Sequence, residues 1–88
     1  MLDRDINSTT DRVAGLIQRM LSERSLGTPT SRDDDLRSLG MSSLDMVNLV
    51  LSVESEFDLS IPEADITPTK FRSIATIGKL VGSLLAPM

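Results

Sequence analysis

The sequence predicts an all-α domain of four helices. Apolar residues recur at helical spacing in separate segments, and no stretch alternates apolar and polar residues over the length of a strand. The breaks between segments fall at Gly27, Pro29, Pro62 and Pro68, residues that interrupt a helix. Residues 1–7 carry alternating charges with little to bury and are expected to fray, which leaves 8–86 as the folded domain. Ser8, Thr9 or Thr10 is the expected cap of helix I, whose apolar stripe is Val13, Leu16, Ile17, Met20 and Leu21. Arg19 and Arg24 lie toward its C-terminal end, where positive charge is favourable.

From Leu26 to Met41 the periodicity is lost. A loop of this length inside a compact domain is usually functional or pinned by a few apolar residues, and Leu36 and Leu39 are the expected pins. Helix II runs from Ser43 to Phe57, and Asp58, Leu59, Ser60, Ile61 and Pro62 make the turn after it. A short helix III is expected within Glu63 to Phe71, where Pro68 limits its extent. Ser73 caps helix IV, with Ile74, Ile77, Leu80, Val81, Leu84 and Leu85 in one stripe.

Helix II differs from the others in being apolar on two opposite sides. Counting about 100° per residue from Leu44, Met46, Leu49, Val50, Val53 and Phe57 fall at roughly 140° to 240°, while Leu44, Val47 and Leu51 cluster near roughly 330°. One face serves the core, so the other asks for a partner. The plain alternative is that Leu44, Val47 and Leu51 pack against the long loop or a neighbouring helix. Ser43 stands at the N-terminal edge of the second stripe. There, unpaired backbone N–H groups and the positive end of the helix dipole favour a phosphate.

Composition narrows the chemistry. The chain has 88 residues, a net charge of −4, no cysteine and no histidine. Ser43 therefore has no imidazole base, and an unactivated hydroxyl is a poor nucleophile, so the chain is not expected to be an enzyme. Zinc sites want Cys and His, and Asp33-Asp34-Asp35 lacks the alternating ligands, central Gly and closing Glu of a calcium loop. The acidic balance argues against nucleic-acid binding. No apolar run approaches the roughly 18 residues of a membrane span, and the start of the chain lacks the features of a signal peptide, so a cytoplasmic location is expected. Asp45, Glu54, Glu56, Asp58, Glu63 and Asp65 follow one another without an intervening Lys or Arg, a one-sign field that would either steer basic partners or simply keep the protein soluble.

The run Leu39-Gly40-Met41-Ser42-Ser43-Leu44, with the acidic helix after it, Phe57, Ile61-Pro62 and Phe71-Arg72-Ser73-Ile74, resembles the acyl carrier proteins that bear phosphopantetheine. The resemblance covers about Leu36 to Leu85. It implies a four-helix acyl-carrier-like bundle, and it places the modified serine at Ser43. It also implies 4′-phosphopantetheine, moved from coenzyme A by a magnesium-dependent phosphopantetheinyl transferase. Cargo would be held as a thioester and shown to a loading ligase and a downstream acyltransferase. The implied address for these partners is the outer side of helix II: Leu44, Asp45, Val47, Asn48, Leu51 and Glu54.

Two positions depart from the usual pattern. Ser42 stands where the family has Asp, and Asn48 where a glutamate is common. Ser and Asp are comparable N-caps, and with Ser42 at the N-cap, Asp45 falls at N3 as an acidic variant of the capping box. The diluted acidic surface points to a specialised carrier of an aminoacyl or other acyl group, with a fatty acyl carrier of lipid synthesis as the alternative. A rival from another class is an unmodified helical adaptor that uses the same stripe to bind protein.

Overall fold

The computed structural model describes residues 4–86, and side chains from Thr9 onward. Helix α1 (Arg4–Glu23) begins earlier than its expected cap. Ser8, Thr9 and Thr10 lie inside it, and the helix takes in residues 4–7; residues 1–3 lie outside the described residues. Once packing of Val13, Leu16, Ile17 and Leu21 has fixed the helix, extending it toward the N-terminus adds one hydrogen bond for each residue ordered.

Helix α2 (Ser43–Phe57) and helix α3 (Ile74–Leu85) complete the set of α-helices among the described residues, so there are three rather than four. A single 3-10 turn at Glu63–Asp65 stands in place of the short helix III. Thr67 and Pro68 follow it, and the proline's missing N–H and fixed φ stop the turn from growing into a helix. The long loop contains a second 3-10 turn, Leu36–Leu39, whose start is held by the Asp35 carboxylate accepting from the Arg37 N–H. Gly40 ends it at φ 109°, a conformation open to glycine.

Helix α3 packs along α1, and closely at Gly78. A Cβ at that position would meet the Thr10 hydroxyl at 2.6 Å. Ile74, Ile77, Leu80 and Val81 are buried against Val13, Ile17, Leu49, Val53 and Phe57 in one core, while Leu84 is half-buried and Leu85 is exposed at the helix end. The loop is fastened to the segment before α3 by backbone bonds from Leu36 N–H to Arg72 C=O, 2.8 Å, and from Ala75 N–H to Arg32 C=O, 2.9 Å. Leu36 is the deep pin, with no exposed surface, and Leu39 packs half-buried beside it.

The two faces of α2 separate as the periodicity requires. Leu49, Val50, Val53 and Phe57 are buried, whereas Leu44, Val47 and Leu51 are 65%, 55% and 58% exposed. Neither the loop nor a neighbouring helix covers the second stripe. Arg12 ties the far end of α2 to α1, donating to the Glu56 carbonyl at 2.8 Å and lying 4.3 Å from the centre of the Phe57 ring.

The start of α2 is held by a reciprocal cap. The Asp45 N–H donates to the Ser42 hydroxyl oxygen at 3.2 Å, and the Ser42 N–H donates back to the Asp45 carboxylate at 2.9 Å. The other Asp45 oxygen lies 3.1 Å from the Arg24 guanidinium. The Ser42 backbone N–H holds the Asp45 carboxyl below the ordinary aspartate value of 3.8, with burial opposing it and the Ser42 hydroxyl and Arg24 adding to it.

Leu49 and Leu51 are the same residue type on opposite faces of one helix. Leu49→Ala is expected to lower unfolding free energy by about 2–5 kcal/mol, and Leu51→Ala by less than about 0.5 kcal/mol, both read from urea unfolding. Asp45 also sets a pH dependence. Its folded value is depressed, so the stability it contributes is fully present above the ordinary value of 3.8 and is lost as pH falls through the lower folded value. Asp45→Asn is expected to be less stable than the parent at pH 7, with the gap closing as both are acidified below 3.8 in a denaturation series.

Candidate functional site

Ser43 is the first residue of α2 and is exposed. Its neighbour Ser42 has its hydroxyl committed to the cap, accepting from the Asp45 N–H and donating to the Asp45 carboxylate at 3.1 Å. Among the described residues the Ser43 hydroxyl has no hydrogen-bond partner. The two serines are thus distinguished by the helix register. One builds the helix start, and the other is left available on it.

The C=O of Ser42 accepts from the Met46 N–H at 3.0 Å, the first bond of the regular helix. The N–H groups of Ser43 and Leu44 precede that ladder and face outward at the positive end of the helix dipole. Ser43 also lines a groove of about 470 Å³ between α2 and the irregular segment 66–72. Met46, Val47, Val50 and Phe71 supply its apolar surface.

The residues assigned to the outer address divide. Leu44, Val47, Asn48 and Leu51 are exposed beside or below Ser43. Asp45 is not: it is 2% exposed and its carboxylate is engaged by Ser42 and Arg24, so it builds the helix start instead of standing on the outer stripe. Glu54 is half-buried and accepts the Ile61 N–H at 2.8 Å, which makes it an anchor of the turn after α2.

The one-sign field is broken for a related reason. Cations distant in sequence fold onto the acids: Arg24 onto Asp45, Arg12 onto Glu56 at 3.1 Å, and Lys70 onto Asp65. Asp58 and Glu63 remain exposed. Arg24 had signalled only a helix-end charge, and nothing local in the sequence marks it as the partner of a residue in the next helix. Arg37 and Arg72, which line the groove with Asp35, were equally silent.

Residues 11–84 match the family described as phosphopantetheine attachment site. Aminoacyl carrier protein 1 of Bradyrhizobium diazoefficiens is 38% identical over 77 residues, covering 88% of this chain and 86% of that protein. A chain in the crystal structure of Bradyrhizobium japonicum glycine:[carrier protein] ligase complexed with glycylated carrier protein superposes with a TM-score of 0.69 at 37% identity, covering 81% of this chain and 96% of that one. MacpD, an acyl carrier protein from Pseudomonas fluorescens involved in mupirocin biosynthesis, shares the fold at 18% identity, with a TM-score of 0.76 over 98% of this chain and 78% of its own. Such proteins generally carry groups for other enzymes and are not catalysts themselves. No helix among the described residues is long and apolar enough to cross a membrane. The isolated hydroxyl at the start of a two-faced helix and the match along most of the chain agree, and this chain belongs to the family of carrier proteins that bear covalently attached 4′-phosphopantetheine.

Proposed function

We propose that Ser43 is the attachment residue and that the protein carries an amino acid, loaded by a discrete ligase. The observation that carries the site is the division of labour between the two serines. Ser42 is bonded on both sides of its hydroxyl, whereas Ser43 is exposed at the first position of α2. The oxygen of Ser43 attacks the coenzyme A phosphorus that bears pantetheine, the pyrophosphate P–O bond breaks and the adenosine bisphosphate part leaves, and the serine proton passes to a base on the transferase, since this chain has no histidine. When bound, the group supplies the thiol that the sequence lacks, on which cargo is held as a thioester. The chain itself performs no chemistry on that cargo.

What the chain's own residues do is present and recognise. The first turn of α2 offers the Ser43 and Leu44 N–H groups and the helix dipole to the phosphate. Leu44, Val47, Asn48 and Leu51 form the surface read by the transferase, by the loading ligase and by a downstream acyltransferase. That surface is small and exposed, as suits a carrier that has to leave each enzyme to meet the next. An amino acid as cargo, and glycine in particular, is supported by the likeness to aminoacyl carrier proteins and to a carrier chain solved with a glycine ligase. These steps are assigned to the cytoplasm, where coenzyme A is available.

The test is reconstitution followed by intact mass. Coenzyme A with a broad-specificity transferase is expected to add one phosphopantetheine to the parent and none to Ser43→Ala. A glycine:[carrier protein] ligase with ATP and glycine should then add one glycyl group that hydroxylamine removes. Modification without glycyl transfer, repeated across other amino acids, would refute the aminoacyl cargo. Absence of any modification would refute the site.

A further inference from the structure

The groove beside Ser43 is lined by two arginines whose charges are poorly satisfied within the described residues. Arg12 and Arg24 each hold a carboxylate at 3.1 Å, and Arg32 is paired with Asp11. Arg37 makes no ion pair among the described residues, and its one bond to Asp35 is through the backbone N–H. Arg72 comes no nearer than 3.8 Å to the Asp35 carboxylate, and both of those side chains are substantially exposed, so solvent screens the pair. Arg37, Arg72 and Asp35 therefore share with Ser43 the lining of one groove.

Their placement is fixed by backbone and not by chance proximity. The Leu36 N–H donates to the Arg72 carbonyl at 2.8 Å, which joins the 3-10 turn carrying Arg37 to the segment carrying Arg72. Leu36 and Phe71, the neighbours of these arginines, are buried and anchor both sides. The groove volume of about 470 Å³ lies within the ~300–1,000 Å³ typical of small-molecule sites. Its surface is apolar at Met46, Val47, Val50 and Phe71, with Thr67 and Thr69 supplying hydroxyls.

We propose that Arg37 and Arg72 hold the phosphodiester that joins the prosthetic arm to Ser43, laying the arm along the groove between α2 and segment 66–72 when no partner is bound. The proposal rests on Ser43 being the attachment residue. A phosphodiester is an anion at neutral pH, and guanidinium forks recognise phosphate oxygens through paired N–H donors. The occupant is identified by charge and by tether. Its anionic end starts at a residue of the groove wall, so contact is intramolecular and an effective concentration of order millimolar makes even weak contacts count. The apolar wall then meets the hydrocarbon part of the arm, and the Thr69 hydroxyl is available to its amides. A loading enzyme would have to draw the arm out of this rest position.

The test compares amide and arginine Nε–Hε resonances of the ¹⁵N-labelled protein before and after modification, with intact mass confirming complete conversion. The Nε–Hε signals of Arg37 and Arg72 and the amides of Ile66, Thr67 and Phe71 are expected to shift on modification. In the modified Arg37→Gln/Arg72→Gln variant the shifts should shrink to the neighbours of Ser43. Modified parent protein in 1 M NaCl should show the same contraction, which provides the comparison without any substitution. Complete conversion with shifts confined to residues next to Ser43, or with the same distributed shifts in the double variant and in high salt, would overturn the proposal. Failure to gain mass would instead strike at the attachment residue.

Discussion

The carboxylate of Asp45 joins three parts of this small domain. It accepts hydrogen bonds from the Ser42 N–H and the Ser42 hydroxyl, and pairs with Arg24 from just beyond the end of α1. Because it does all this while 2% exposed, α2 starts at one residue and in one rotation about its axis. The position of Ser43 follows from that start. So does the direction in which Leu44, Val47 and Leu51 point. A carboxylate so enclosed would be costly without partners, but each of its oxygens has one.

An apolar stripe left in solvent is a second consequence. A domain of this size has little core to spare, yet Leu44, Val47 and Leu51 are withheld from it. The core is closed instead by α3 lying tightly on α1 at Gly78, and by the loop residues Leu36 and Met41. The loop thus does two things. It substitutes for the missing helix surface, and its 3-10 turn brings Arg37 to the groove beside Ser43.

Much of this was legible in the sequence where the signal is local. The capping box at Ser42 and Asp45, the cap at Ser73 and the two faces of α2 all depend on residues within a turn or two of each other, where helix geometry dictates the outcome. The start of α1 was misplaced because Ser8 and Thr9 read as caps, whereas a hydroxyl residue is also tolerated inside a helix that packing has already nucleated. The expected short helix III is a single 3-10 turn, in keeping with the limit that Pro68 sets on that segment. The contacts of Asp45 and Glu54 are not legible, for a different reason. Their acidity was visible, but the groups that consume it, the Arg24 guanidinium and the Ile61 N–H, arrive through tertiary folding and a turn. Ion pairs between distant residues leave no periodic trace, which is why the acidic field seemed larger in sequence than in space.

The central claim is one of register: the helix start consumes the hydroxyl of Ser42 and leaves that of Ser43 for modification. Fragmentation mass spectrometry of the peptide spanning both serines, taken from enzymatically modified protein, measures this directly. The account predicts fragment ions that place the phosphopantetheine on Ser43 alone, and fragments placing it on Ser42 would contradict it.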